Sequence, residues 1–384
     1  MAVSPSSRLE IHIQRSDART RGAGWYSVAH VTISIFLWIL FQMGPNAELQ
    51  AQVLPPAQGS QPATTSTLQS LPGETAAKDS KGKRVMYRVS PSTTDPDIKD
   101  GDGDNLVLFD QHVAPNANLL VFIGGTARYR GADQREVEVS QEFAKSFPSP
   151  FLNLAVDLGY RVISLDFKYA PAGTAICPRI QDRTCYERFR EKKVFGTGNM
   201  PEVPTTPAES IVNRLIKLLQ YVARQYPEQG WEDYLVNGQP NWSRIALTGH
   251  SQGAGLAAFL AKRMNVARVI LNSSPWDHYT RPPAVDAWLS WPSATPYERW
   301  YGLYHAKEGE AMWMERTYAA LRIPHDHIRV EKLEPRHPAG IDGDHYHFGV
   351  IGINFTPLDA DGNYAFRDDW AFALGQGTPS PTQK

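Results

Sequence analysis

One serine of this 384-residue chain lies in a Gly-x-Ser-x-Gly pattern, which reads Gly249-His250-Ser251-Gln252-Gly253. A serine hydroxyl exposed at a sharp turn is suited to attack a carbonyl carbon. The flanking glycines fit this role because only a very small residue lets an incoming strand and an outgoing helix pass closely at such a turn. The pattern therefore predicts a nucleophilic serine, with an ordinary Gly/Ser turn as the alternative.

The residues on either side of this motif favour the nucleophile. Residues 244–248 form a short, apolar, partly β-branched run that is typical of a buried strand. Residues 254–263 are mostly small and apolar and predict a helix. Strand, sharp turn and helix is the context in which Gly-x-Ser-x-Gly presents a catalytic serine.

A second glycine pair could stabilise the negative charge that such an attack creates. The apolar run 119–123 predicts a strand, and it is followed by Gly124, Gly125 and Thr126. Backbone N–H groups in such a loop can bind an oxyanion together with the N–H of the residue after the nucleophile. The predicted donors are therefore Gln252 and either Gly125 or Thr126, although a plain turn would also place glycines here.

From about residue 84 to Phe348 the chain resembles the α/β-hydrolases. More narrowly, it is similar to exported hydrolases with an N-W-S-R-I-x-x-x-G-H-S-Q-G elbow, present here as Asn241–Gly253. Those relatives also carry a cysteine pair before an arginine-rich segment and an A-T-P-x-E-R-W-Y-G stretch, seen here at Ala294–Gly302. The resemblance implies a Ser-acid-His triad in that chain order, with each residue in a loop after a strand.

This order directs the search for the acid to the loop after the predicted strand 300–305. Glu308 is the first candidate and Glu310 the second. Asp277 is the third, because some relatives carry the acid one strand earlier. Aspartate is commoner than glutamate at this position in the family, and any one of these carboxylates could instead be a solvated surface group.

The histidine is expected after the predicted strand 327–333. The matching stretch is Gly343-Asp344-His345-Tyr346-His347, and His345 comes first because it follows a tight Gly/Asp turn. His347 and His337 are the alternatives. The His-x-His pairs 325/327 and 345/347 lack further ligands at useful spacing, so no metal site is predicted.

Composition and pattern limit the class of protein. The formal net charge is −1, and no basic patch interleaved with aromatic residues is visible, which disfavours nucleic-acid binding. Strands and helices alternate along the chain, which predicts a mainly parallel sheet with helices on both faces and irregular cap-like excursions. The Trp-rich stretch 272–300 could cover the site or simply fill the core.

The first eighty residues are predicted to lie outside this fold. Several arginines precede the apolar run 28–43, which resembles the core of a signal peptide, and an uncleaved signal-anchor is the alternative. We assign 1–51 to that segment, 52–83 to a disordered polar linker and 84–384 to the hydrolase domain. The protein is then exported, either to the periplasm or medium or as a membrane-anchored form.

The predicted export determines which redox state is expected for the only two cysteines of the chain, Cys177 and Cys185. In an oxidising compartment the pair is expected to form a local disulfide, whereas in a reducing one both would be free thiols.

Two helix assignments complete the prediction. One helix covers 134–158, and another begins at a capping box formed by Thr206 and Glu209.

Together these patterns predict a serine hydrolase that acts on a small-molecule or polymeric ester and uses Ser251, Glu308 and His345. No cofactor is implied. Two alternatives stay open: an exported peptidase or amidase on the same fold, and a catalytically silent, membrane-tethered binding protein.

Overall fold

The computed structural model describes residues 74–78, 84–99, 101–125, 128–130, 136–138, 149–180, 182–337, 345–352 and 354–378. A central β-sheet organises this part of the chain. The strands in chain order are β1 (Glu74–Lys78), β2 (Arg84–Val89), β3 (Asn105–Asp110), β4 (Leu119–Ile123), β5 (Arg128–Arg130), β6 (Glu136–Glu138), β7 (Arg161–Leu165), β8 (Leu235–Val236), β9 (Gln239–Pro240), β10 (Ile245–His250), β11 (Arg268–Asn272), β12 (His278–Thr280), β13 (Pro283–Val285), β14 (Trp300–His305) and β15 (Ile328–Glu331).

The α-helices of the described ranges connect these strands. They are α1 (Pro91–Thr94), α2 (Pro150–Asp157), α3 (Gly173–Ile176), α4 (Cys185–Phe195), α5 (Ile211–Gln225), α6 (Gln252–Arg263), α7 (Ala311–Leu321), α8 (His345–Gly349) and α9 (Arg367–Ala373).

The sheet has nine strands in the described ranges, in the order β1-β2-β3-β7-β4-β10-β11-β14-β15. The six strands from β7 to β15 are parallel, and β1, β2 and β3 extend the sheet in antiparallel pairings. This is the α/β-hydrolase fold predicted from the sequence. The carboxyl ends of the parallel strands meet at one edge, where open α/β sheets bind their ligands.

Both faces of the sheet are covered, as β4 illustrates. Leu119, Val121 and Ile123 pack into one core cluster, which includes apolar residues of α4, α5 and α6. The intervening Leu120 and Phe122 pack into a second cluster with residues of α2 and α9. Because neighbouring side chains of a strand point to opposite faces, an unbroken apolar run is what a strand with two cores requires.

The predicted start of the folded part differs from the structure. The expected linker 52–83 contains β1, which pairs with β2 at the edge of the sheet, so the folded part begins before residue 84. The remainder of 52–83 and all of 1–51, including the apolar run 28–43, lie outside the described residues. In the ranges that are described, no helix combines the length and the apolar character needed to cross a bilayer.

Two helix predictions also need correction. Helix α5 begins at Ile211, with the Ser210 side chain accepting a hydrogen bond from the Asn213 N–H at 3.2 Å. The Thr206–Glu209 segment forms a turn before the helix, in which the Thr206 hydroxyl accepts the Glu209 N–H at 3.3 Å while the Glu209 carboxylate binds Arg214 and the Lys99 N–H. Of the helix expected over 134–158, the described residues place α2 at Pro150–Asp157 and β6 at Glu136–Glu138, and residues 134–135 and 139–148 lie outside the described residues.

Candidate active site

The predicted nucleophile occupies a strained turn between β10 and α6. Ser251 has φ 54° and ψ −130°, a conformation that non-glycine residues rarely adopt. Its N–H donates to the carbonyl oxygen of Asn272 at 3.0 Å, which ties the turn to the end of β11. The serine therefore lies at the carboxyl edge of the sheet, and the surrounding structure holds the strain in place.

The glycines of the motif are required by close backbone approach. A Cβ atom on Gly253 would lie 2.0 Å from the carbonyl oxygen of Ile123, and one on Gly249 would lie 2.4 Å from the Gly253 carbonyl carbon. Both distances are far below van der Waals contact, so no larger residue fits without a backbone shift. The turn can form only because its two ends lack side chains.

The loop after β4 lies directly against the serine. A Cβ atom on Gly125 would come within 2.6 Å of the Ser251 Cβ, so the Gly125 backbone is adjacent to the nucleophile. Gln252 is the first residue of α6, where backbone N–H groups have no intrahelical acceptor. The amides of Gly125 and Gln252 thus flank the serine, while Thr126 lies outside the described residues.

Across the sheet edge, a buried carboxylate pairs with a histidine. Glu308 follows β14, and its Oε2 lies 2.7 Å from Nδ1 of His347 in α8. Its Oε1 accepts hydrogen bonds from the Ser273 hydroxyl and from the His305 N–H, each at 2.8 Å. With both oxygens bonded, the carboxylate is held rigidly and can orient the imidazole.

The histidine in this pair is the alternate of the sequence prediction. His345 lies two residues earlier in α8, and its ring packs 4.3 Å from the ring of His337 and 4.9 Å from that of Phe355. Residues two apart on a helix point about 200° away from each other. Only one of the two histidines can face Glu308, so the structure replaces His345 with His347 as the partner of the acid and leaves His337 beside His345.

Aromatic rings and a second histidine enclose His347. The Trp276 ring stacks on it with centroids 5.7 Å apart, and the His250 ring lies 4.5 Å away. Nε2 of His250 is 3.0 Å from the His347 carbonyl oxygen. Burial and the neighbouring His347 hold the pKa of His250 well below its usual value. His250 is therefore neutral and can donate through Nε2 to fix the His347 backbone.

The other two candidate acids have different surroundings. Asp277 is fully buried and forms a two-pronged ion pair with Arg190, at 2.6 and 3.0 Å, and it accepts a third bond from the Trp288 indole. It cannot also serve a histidine. Glu310 lies immediately before the first residue of α7 and two residues after Glu308, and it is the Glu308 carboxylate that binds His347.

Arg190 connects this ion pair to the nucleophile turn. Its Nη1 donates to the Gln252 carbonyl oxygen at 2.9 Å. The guanidinium also lies against α6 so closely that a Cβ on Gly255 would be 2.2 Å from its Nη2. The Gln252 N–H flanks the serine, so the hydrogen bond from Arg190 to the Gln252 carbonyl helps to hold this residue in position.

The cysteine-containing excursion is fastened to the same turn. Cys177 and Cys185 form the predicted disulfide, with Cα atoms 5.5 Å apart. The Gln252 side chain accepts a bond from the Gly173 N–H at 3.2 Å and donates to the Tyr169 carbonyl oxygen at 2.8 Å. The excursion therefore packs beside the site and does not form a separate domain.

Sequence reasoning did not identify Ser273, His250 or Arg190 as part of the site, and it included Trp276 only as a member of the Trp-rich stretch that could cover the site. A signal existed for the first, because Asn272, Ser273 and Ser274 are polar residues directly after a buried strand, at the edge where sites form. Arg190 gave no such signal, since it lies in a helix with several other charged residues. In the described ranges, no group of three or more His, Cys, Asp or Glu side chains is arranged to hold a metal ion.

Comparison with known proteins gives similar folds only. No protein-family model and no curated protein matches the sequence. The chain is similar to a solved esterase of the bacterial hormone-sensitive lipase family, with 12% identity, 78% of this chain and 86% of that one covered, and a TM-score of 0.38. It is also similar to a bacterial heroin esterase (17% identity, 69% and 76% covered, TM-score 0.32) and to the AtxE2 isopeptidase (13% identity, 80% and 41% covered, TM-score 0.36). These similarities are weak, and the function is argued from the geometry of the site.

Proposed function

We propose that the protein is a serine hydrolase of carboxylic esters, with Ser251 as nucleophile, His347 as general base and acid, and Glu308 as the orienting acid. The amides of Gln252 and Gly125 form the oxyanion hole. The observation that carries the proposal is the buried Glu308–His347 pair at 2.7 Å, at the same sheet edge as a strained Ser251. A silent binding protein would have no need to bury a carboxylate against a histidine there.

The reaction follows from these positions. Ser251 Oγ attacks the ester carbonyl carbon while His347 accepts the hydroxyl proton, and the carbonyl oxygen becomes an oxyanion between the two amides. Collapse breaks the ester C–O bond, and His347 returns the proton to the departing alcohol. Water then attacks the acyl-serine, giving one proton through His347 to Ser251 Oγ and releasing the acid. Glu308 stabilises the imidazolium throughout.

Covalent labelling of the full-length protein tests the nucleophile. We expect a fluorophosphonate to label the wild type at one residue, identified as Ser251 by peptide mass spectrometry, and Ser251→Ala to abolish the label. Persistent labelling of that variant would contradict the proposal. Matched ester and amide substrates with the same acyl group then decide between an esterase and an amidase, because we expect turnover of the ester to exceed that of the amide.

A further inference from the structure

A groove lies between the disulfide excursion and the β12–β13 hairpin, and the proposed reaction leaves it unexplained. Its volume is about 560 Å³. One wall carries His278, Tyr279, Thr280 and Arg281, and the other carries Cys177, Pro178, Ile180, Asp182 and Arg183. The lining side chains that could contact a ligand by charge or stacking are Arg183, Arg281, His278 and Tyr279.

The groove has an excess of positive charge. Asp182 is its acidic residue, and it is already paired with Arg188 at 2.5 Å and accepts the Thr184 N–H at 2.8 Å. In the described ranges, no carboxylate lies within ion-pair distance of the Arg183 or Arg281 guanidinium. Two guanidinium groups on facing walls, without a carboxylate of their own, are suited to bind an anion of the ligand.

The arginine on the excursion is already held in position. The Arg183 guanidinium carbon lies 4.9 Å from the centroid of the Tyr279 ring, and its Nη2 donates to the Pro282 carbonyl oxygen at 3.0 Å. Tyr279 is in turn packed edge-on against Tyr186 and donates its hydroxyl to Asp286 at 2.7 Å. Because Arg183 uses one nitrogen for the opposite wall, its other N–H groups are available to a ligand.

Each wall of the groove follows, in the chain, a residue that contacts the active site. Trp276, which stacks on His347, is two residues before His278, and Gly173, which binds the Gln252 side chain, is four residues before Cys177. Two extended residues or one helical turn span roughly 6 Å. Both walls are therefore short continuations of segments that contact the site.

We propose that this groove binds a carboxylate carried by the substrate, so that the preferred substrates are esters with a free carboxylate a few bonds from the scissile group. Arg183 and Arg281 bind the carboxylate, and Tyr279 contacts the chain that carries it. This inference rests on the proposed function, since it names the substrate class of the same site.

The test compares esters that differ only in this charge. With the full-length protein, kcat/KM is measured for p-nitrophenyl hemiesters of four- to eight-carbon dicarboxylic acids and for the same compounds with the far carboxylate methylated. A second pair places the carboxylate on the alcohol side, as the butyrate ester of 3-(4-hydroxyphenyl)propionate and that of its methyl ester. We expect the free carboxylate to be preferred by about tenfold in at least one series.

Arginine variants assign this preference to the groove. Arg183→Gln and Arg281→Gln should each lower the ratio of kcat/KM for the charged ester to kcat/KM for the methylated one, and the double variant should bring it close to one. Arg281 is exposed, so its variant remains informative if Arg183→Gln does not fold. Arg224→Gln, on the exposed side of α5, is the matched control and should keep the wild-type ratio.

Two failures can be told apart. A wild type that hydrolyses both members of every pair equally, or a preference that survives the double variant, would overturn the carboxylate site alone. A protein that hydrolyses none of the esters and is not labelled by a fluorophosphonate would contradict the serine chemistry itself, and the carboxylate site with it. A charge preference that disappears with rising salt only in proteins that retain Arg183 and Arg281 would support the proposal further.

Discussion

The nucleophile side of the site and the acid–base side are built in different ways. Gly249–Gly253, with strand β10 and helix α6, is one continuous segment whose geometry depends on backbone contact. Glu308 and His347 are 39 residues apart and belong to separate elements that meet only in the folded protein. The first side can therefore be recognised from residue types, whereas the second depends on which side chains the fold brings together.

The forces also differ. Steric exclusion fixes the serine turn, because any Cβ at Gly253 would overlap the end of β4. Hydrogen bonds fix the acid–base pair, since Ser273, the His305 N–H and His250 each hold one of its atoms. Steric constraints tolerate no larger residue, whereas a hydrogen-bonded arrangement can lose one member and keep its fold.

The largest expected effect separates the two histidines. His347→Ala should lower kcat/KM by about 10³-fold or more, because in the proposed reaction His347 accepts the serine proton. His345→Ala is the matched control, and we expect a loss below about tenfold, since His345 faces His337 and Phe355. Steady-state kinetics with a p-nitrophenyl ester measure kcat/KM for both variants. If His345→Ala were the more damaging change, the assignment of the base would be wrong.

The support behind the serine turn should be the next most sensitive. Asp277→Asn leaves the Arg190 charge buried without its counter-ion, and we expect a loss of about 3 kcal/mol in the free energy of unfolding. Glu191→Gln removes the exposed ion pair with Arg263 and should cost less than about 1 kcal/mol. Urea unfolding measures both.

The same variants report on catalysis. Because Arg190 holds the Gln252 carbonyl, Asp277→Asn should also lower kcat more than it raises KM. Equal stability and equal kcat in Asp277→Asn and Glu191→Gln would show that the buried pair does not support the turn.

A glycine substitution tests the steric basis of the nucleophile side. Gly253→Ala would place a methyl group 2.0 Å from the Ile123 carbonyl oxygen, and we expect destabilisation of about 2 kcal/mol as β4 shifts. Gly309→Ala, in the acid loop, meets no atom within 4 Å and should change stability by less than about 0.5 kcal/mol. Similar unfolding midpoints for the two variants would argue against the close contact at Gly253.

A buried carboxyl beside the acid loop should make the stability of the protein depend on pH. Glu331 accepts the Ala306 N–H through its carbonyl, and burial, with a smaller contribution from Asp369, raises the pKa of its carboxyl to about 8. Between its ordinary pKa of 4.5 and about 8 the folded protein binds a proton that the unfolded chain does not. Stability should therefore fall as pH rises through this window, by at most about 1.4 kcal/mol per pH unit from this group.

Glu331→Gln should remove that contribution and flatten the dependence of stability on pH. Exposed Glu228 provides the control, because Glu228→Gln should keep the wild-type slope. Thermal unfolding between pH 5 and pH 8 measures the difference. An unchanged slope in Glu331→Gln would show that the carboxyl is ionised in the folded protein.

Much of the fold could be predicted because its signals are local. The strand at residues 300–305 agrees with the prediction, since a strand appears as an apolar run. The disulfide agrees as well, although its prediction depended on the expected export to an oxidising compartment. The start of α5 was misplaced because a capping box is only a pattern of residue types. Whether Glu209 closes it depends on Arg214 and Lys99, which approach it only after folding.

The sequence by itself determined the serine turn. Its glycines, its strand and its helix are adjacent in the chain, and the close contact of Gly249 with Gly253 lies within that segment, whereas the contact of Gly253 with Ile123 forms only when β4 packs beside it. The tertiary structure alone decided that His347 and not His345 meets Glu308, and that Asp277 belongs to Arg190. The physical reason is that a helix turns side chains two residues apart to opposite sides, and a buried carboxylate binds whichever donors packing brings within reach.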